Sequence, residues 1–219
     1  LRAAENLAAS LGSGEAGQVR VAASQTLGAY VLPSVLAAFR EQAPGVEIEL
    51  ESHNMRRVLE RLEACDIGLV EGDLDRPLPP DWRFEPLATD EIVALLRRDH
   101  PLAASRSLGL EQLVAQPQIW REDGSGTRVQ VEQAFRVRGL VPQVRIALAG
   151  VAAIKEAVRQ GLGVGFVSRL ALRHDSALLV GVPLRPRLTR TLALVIPREP
   201  GPSAMRFLDF LRGRLSEDR

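Results

Sequence analysis

An α/β fold in two lobes is what this sequence of 219 residues predicts. Three observations carry the prediction. Short stretches with strand periodicity alternate with stretches of helical spacing. The order strand, helix, strand, helix, strand occurs twice. A last strand and helix then follow the second set.

The elements follow in order. Val19, Val21 and Ala23 alternate with polar neighbours as a strand does, and Leu32, Val35, Leu36 and Phe39 fall at helical spacing behind Pro33. Val46, Ile48 and Leu50 alternate again, Met55, Val58, Leu59 and Leu62 form a second apolar helix face, and Ile67 to Val70 is a short buried strand. This first βαβαβ unit is followed by Pro77, Pro79 and Pro80, which break structure, and by a strand over Glu91 to Arg97 that crosses into the second unit. There, Gln118 to Trp120 is a strand, and Val131, Ala134, Phe135 and Arg138 lie on a helix stopped by Gly139. Val144, Ile146 and Leu148 make the next strand. Val151, Ile154, Ala157 and Val158 share a helix face that ends at Gly161, and Gly165 to Ser168 is another buried strand. Thr191 to Ile196 is again strand-like, and Ser203 is placed to cap a helix carrying Phe207, Leu208, Leu211 and Leu215. If that tail returns to the first unit, lobe I comprises 17–89 and 192–219, lobe II comprises 90–191, and a two-segment hinge joins them. Residues 1–16 are set apart: Leu1, Ala4, Ala8 and Leu11 are spaced as a linker helix remnant, with Gly12, Ser13 and Gly14 as a joint.

Composition excludes several functions. Lys and Arg total 28 against 27 Asp and Glu, and a net charge of +1 gives no field for holding a polyanion. Lys155 is the only lysine, the arginines are scattered, and no apolar run approaches the roughly 20 residues of a spanning helix. No membrane partner is expected. With no export signal in residues 1 to 18, a cytoplasmic location is expected. Cys65, the only cysteine, permits neither a disulfide nor a cysteine metal cluster and reads as a small buried hydrophobe. No cofactor or metal is expected.

In open α/β sheets, ligands collect at the carboxyl ends of strands, where helix N-termini aim free N–H groups. Four such loops are legible: Ser24, Gln25 and Thr26; Ser52, His53 and Asn54; Gly124, Ser125, Gly126, Thr127 and Arg128; and Ala149 with Gly150. Short hydroxyl and amide side chains with bare glycine amides suit a small oxyanion, although Ser24, Thr26, Asn54 or Ser125 singly could merely cap a helix. Arg128 could contact the anion or pair with Glu122 or Glu132. Gly161, Gly163 and Gly165 follow a helix and enter a strand, the reverse of a dinucleotide cradle, and read as a tight turn.

In this order the landmarks resemble the effector domain of LysR-type transcription regulators, from about Gly17 to Leu215. The run Ser24, Gln25, Thr26, Leu27, Gly28, Ala29, Tyr30, Val31, Leu32, Pro33 is similar to that family's first strand-to-helix stretch, continued by Phe39 and Pro44. Asp66 to Glu71, His100 to Ala103 and Gly161 to Gly165 match later elements, and Arg121 to Arg128 resembles regulators of sulfur assimilation and Calvin-cycle carbon fixation. The resemblance implies a type II periplasmic-binding-protein-like fold, DNA contact only through an N-terminal winged helix-turn-helix outside these residues, and a homodimer or homotetramer. It places effector contacts at Ser24, Thr26, Asn54, Ser125 and Thr127; Met55, Gly150 and Val151 depart from the family's usual polar residues. The implied function is binding of a small-molecule or inorganic anion, a sulfur oxyanion or small carboxylate or phosphate, in the inter-lobe cleft.

Two rival classes are weaker: the receptor lacks an export signal, and the sequence argues against an enzyme. An extracytoplasmic solute-binding receptor of an ABC transporter would share the fold. An enzyme would need Ser125 as nucleophile with His53, His100 or His174 as base, but Gly124, Ser125, Gly126 lacks a G-x-S-x-G elbow, and no H-E-x-x-H or phosphate-binding P-loop occurs.

Overall fold

A computed structural model describes residues 12–74, 76–172 and 177–217. The expected helix over Leu1 to Leu11 and the candidate base His174 lie outside the described residues. The chain divides into two compact units. Unit one takes the chain up to Val70, Leu74–Ala88 and the chain from Leu192; unit two takes Glu71–Asp73 and Thr89–Thr191.

Unit one is built on β1 (Ala16–Ser24), which pairs in parallel with β2 (Gly45–His53) along its whole length and with β3 (Ile67–Glu71) over Val21 to Ala23. Its strand order is β2, β1, β3 and then β9 (Leu179–Pro197). The stretch read as a loop after β1 is a helix, α1 (Gln25–Tyr30), separated at Val31 from α2 (Leu32–Gln42). Pro33 explains the break, because it has no N–H to offer the preceding turn and its ring needs the space of that turn. The second helix face is likewise shorter than its apolar spacing suggests: α3 (Met55–Glu60) gives way to a 3-10 turn over Leu62–Ala64. Met55, Val58, Leu59 and Leu62 still pack with Ala22, Val70, Ala193 and Val195 in one cluster.

The C-terminal helix α7 (Pro202–Glu217) belongs to unit one as well, with Phe207 meeting Phe39 of α2 edge-on at 5.0 Å between ring centroids. Ser203 is not its cap. The helix starts at Pro202, a favoured first position, and the Ser203 hydroxyl donates to the Ala16 carbonyl at 2.9 Å, tying α7 to β1.

In unit two, β6 (Pro117–Arg121) pairs in parallel with β7 (Gln143–Leu148) and with β8 (Val164–Ser168). On its other side β8 runs antiparallel to β4 (Trp82–Arg97), Ile92 lying opposite Ser168. A two-residue strand β5 (Leu108–Gly109) beside β9 and the helix α4 (Leu110–Val114) are additions the periodicity did not reveal. The helices α5 (Gly126–Val137) and α6 (Val151–Arg159) complete the unit. Its core gathers Ile92, Leu96, Leu113, Trp120, Val131, Phe135 and Phe166, with Phe135 edge-on to Phe166 at 6.1 Å. At Gly163, φ is +149° and an added Cβ would lie 2.3 Å from the Pro117 carbonyl oxygen, so the glycine-rich turn is required by close approach of backbone to backbone.

Strands β4 and β9 are far longer than the apolar runs that announced them, at 16 and 19 residues. Both are hydrogen-bonded neighbours, and both contribute residues to each unit. The alternation that reveals a half-buried strand was legible only where one face is continuously apolar; Thr89, Arg185, Pro186 and Arg187 are exposed and hide the continuity.

Candidate functional site

Parallel pairing decides which loops are neighbours. Because Ser24 lies opposite His53 in the β1/β2 register, the first and second strand-to-helix loops of unit one start side by side. Arg121 lies opposite Leu148 in the β6/β7 register, so the third and fourth loops of unit two do the same. Ser24, Gln25, Thr26, His53 and Asn54 are thus grouped in one unit, and Gly124, Ser125, Gly126, Thr127 and Arg128 in the other.

Two of the four helix starts are closed by the chain itself. At α3, Asn54 Oδ1 accepts the Arg57 amide at 3.0 Å, an N-cap in the ordinary sense. At α6, the Gly150 amide donates to Glu122 Oε2 at 3.3 Å, so a protein carboxylate already occupies the position an anion would take. Burial pushes the Glu122 carboxyl up, but the Arg121 guanidinium, which grips it at 2.8 and 2.9 Å, and the Gly150 amide together hold it below its ordinary value.

The other two starts carry a serine that does not cap. Ser24 precedes α1 with extended backbone and makes no capping bond; it is 3% exposed, and Thr26 beside it is 1% exposed. Ser125 precedes the 12-residue helix α5, is 2% exposed, and makes no capping bond either. Gly124 before it has φ of +81°, a left-handed turn that brings the chain from β6 into α5 and that a side chain would strain. Buried hydroxyls at a helix start normally bond the free amides there. These do not, so the serine hydroxyls at the starts of α1 and α5 are not spent on capping.

The charged candidates are turned elsewhere. Arg128 pairs with Glu132 at 2.7 Å, donates to the Arg121 carbonyl at 3.3 Å and lies over the Trp120 ring at 5.9 Å. His53 Nε2 meets Glu51 Oε2 at 3.0 Å, and Arg61 holds the same carboxylate at 2.6 Å; bonding to His53 first and Arg61 second keeps Glu51 below its usual range. His100 Nδ1 accepts the Leu102 amide at 3.1 Å within a turn. Cys65 is an inert thiol: burial raises it to about 11, and its Sγ donates to the Leu62 carbonyl.

Residues that sequence reasoning missed lie behind Thr127. Its Oγ1 accepts from Arg190 Nη1 at 2.9 Å, and Arg190 is held by Asp90 at 2.8 Å and Glu71 at 2.5 Å. Asp90 also accepts from Ser168 Oγ at 2.7 Å. The available signal was an arginine two residues before the apolar run Leu192 to Ile196 and an aspartate two residues before Ile92 to Leu96, and both are buried.

Residues 12–216 match the family described as LysR substrate binding domain. The chain belongs to the LysR family. Its relatives include the HTH-type transcriptional regulator CysL of Bacillus subtilis, 32% identical over 161 residues covering 73% of this chain and 53% of that protein. The RuBisCO operon transcriptional regulator of Allochromatium vinosum is 30% identical over 168 residues, covering 77% of this chain and 55% of that protein. The chain therefore spans about half the length of these LysR relatives. Among solved structures, the Synechocystis PCC6803 CcmR regulatory domain in complex with 2-PG superimposes with a TM-score of 0.84 at 27% identity, covering 91% of this chain and 97% of that one. The fold is thus the periplasmic-binding-like fold of LysR effector domains, and the likeness falls in the sulfur and Calvin-cycle branch. These LysR relatives are transcription regulators and not enzymes.

Proposed function

We propose that this LysR domain binds a small anionic effector through the donors of the third loop, Gly124, Ser125, Gly126 and Thr127 in unit two, and that Ser24, Gln25 and Thr26 of the first loop are the corresponding donor set of unit one. The observation that carries the reading is Ser125, buried at the start of α5 without capping it, while the α6 start is filled by Glu122. The attraction comes from amides and hydroxyls and not from free cations, since Arg121 is paired with Glu122 and Arg128 with Glu132. His53 and Asn54 line the neighbouring loop, their polar atoms engaged by Glu51 and the Arg57 amide. A sulfur oxyanion, a small carboxylate or a phosphate ester fits such a donor set.

Effector binding shifts the populations of two arrangements and so the activity of a cytoplasmic homodimer or homotetramer on DNA. Contact with DNA is assigned to a helix-turn-helix domain beyond these 219 residues, because a net charge of +1 supplies no field for a polyanion. A thermal-shift screen of sulfate, thiosulfate, small carboxylates and 2-PG tests the reading. At least one is expected to raise Tm, and Ser125→Ala is expected to weaken that ligand by about tenfold, with Thr26→Val as the separate test of the unit one donors. A ligand that binds Ser125→Ala as tightly as wild type removes the third loop from the site.

A further inference from the structure

The Thr127 hydroxyl sits on a side chain 2% exposed, and Arg190 is its recorded hydrogen-bond partner among the described residues. A guanidinium can only donate. One of the two lone pairs of Oγ1 is therefore committed; of what remains, the hydroxyl proton is the group that burial penalises if it finds no acceptor, so it directs the next bond. Arg190 is not free to turn away. Its side chain is 0% exposed, its Nη2 and Nε are bound to Asp90, and its Nη1 lies 2.5 Å from Glu71, with those carboxylates 1% and 5% exposed. Ser168 fixes Asp90 in turn, donating to it at 2.7 Å while accepting the Leu170 amide at 3.0 Å. Moving the guanidinium would leave two buried carboxylates without a counter-charge, which is the costliest rearrangement the cluster has. The anchors also come from separate strands: Glu71 ends β3, Asp90 lies in β4 and Arg190 in β9, each within two residues of a point where the chain passes from one unit to the other.

We propose that Arg190 is a positioning residue that fixes Thr127 as a hydrogen-bond donor, so that the effector atom meeting Thr127 is an acceptor carrying no proton. The proposal rests on the reading that Thr127 contacts the effector. A fully deprotonated oxyanion satisfies such a hydroxyl at any of its oxygens. Hydrogen phosphate does so only when its own O–H is turned to another acceptor, because a donor facing a donor leaves both unsatisfied.

The test uses sulfate and inorganic phosphate as probes, with affinities measured by calorimetry near pH 7.5. Wild type is expected to prefer sulfate by about tenfold or more. Thr127→Ser keeps the preference; Thr127→Val lowers sulfate affinity about tenfold, leaves phosphate little changed and so erases it. Arg190→Lys, still a buried cation that only donates, retains the preference. The triple variant Glu71→Gln, Asp90→Asn, Arg190→Met frees the hydroxyl to accept as well as donate and brings the ratio close to one. Should the triple variant fail to fold, the Thr127 pair decides alone. A preference that survives in Thr127→Val although affinity falls, one absent from wild type although both anions bind and Thr127→Val weakens them alike, or wild type that binds neither probe while another small anion raises its Tm, overturns the positioning role and leaves the effector reading standing. Thr127→Val that binds both probes with wild-type affinity, or wild type that binds no anion of either screen, overturns both.

Discussion

Glu122 shows how one carboxylate can decide which helix start is available. It stands between Arg121, whose guanidinium it accepts twice, and the Gly150 amide at the start of α6. Burial opposes its ionisation, and the Arg121 guanidinium and that amide outweigh burial, so its folded pKa lies below the ordinary value near 4.3. A depressed carboxyl pKa contributes stability that is fully present above the unfolded value and is lost as pH falls through the folded one. Glu122→Gln is therefore expected to cost about 1–3 kcal/mol at pH 7, where it removes a charged partner of the largely buried Arg121. The gap to wild type is expected to shrink only as pH falls through and below the ordinary carboxylate range. Urea unfolding of both proteins at intervals from neutral to acid pH measures this, and a gap that stays constant to the acid end contradicts the assigned ionisation.

At the level of elements, α7 is held by burial, by the Ser203 bond to β1 and by a half-buried ion pair. Phe207 is 0% exposed against Phe39, while Arg212 reaches Glu85 of β4 at 2.7 and 2.9 Å and, through that hydrogen bond first, lowers the Glu85 carboxyl. Phe207→Ala is expected to lower the unfolding free energy by about 3–5 kcal/mol with an unchanged denaturant slope; a loss below about 1 kcal/mol would show that α7 is not a docked part of the core. The apolar spacing of Phe207, Leu208 and Leu211 made α7 legible in advance, as the alternation of Val19, Val21 and Ala23 did for β1. What escaped had a physical reason in each case. The six residues of α1 are too few to show a period, and Pro33 hides that helix turns flank Val31 on both sides. The two residues of β5 give no alternation at all. Ser24, Thr26, Ser125 and Thr127 were visible as hydroxyls at strand ends, but which of them cap helices depends on side-chain direction, which spacing does not encode. Arg190 stood close before an apolar run, but its partners Glu71 and Asp90 are distant in sequence, so their pairing was not legible.

For the whole molecule, the way the chain passes between units makes their stabilities unequal partners. Unit two holds Thr89–Thr191 as one continuous stretch, and only Glu71–Asp73 reaches it separately. Unit one is discontinuous: β9 from Leu192 and α7 return to it only after that whole stretch. If unit two unfolds, unit one must close a flexible loop of about 100 residues, an entropic cost of about 4 kcal/mol, comparable to the lower end of a domain's total stability. If unit one unfolds, unit two loses little more than the tether of three residues through Leu74–Ala88. The two tryptophans report separately, Trp82 packing in the unit one cluster and Trp120 in that of unit two. In Trp120→Phe and Trp82→Phe backgrounds, Leu62→Ala is expected to pull the Trp82 urea transition ahead of the Trp120 transition, since it weakens unit one by about 2–5 kcal/mol and leaves the other core intact. Phe135→Ala, which weakens unit two, is expected to move both transitions down together, because unit one cannot outlast the loop imposed on it. Equal separation of the transitions in both variants would mean that the long connection is not what couples the units, and that each stands on its own core.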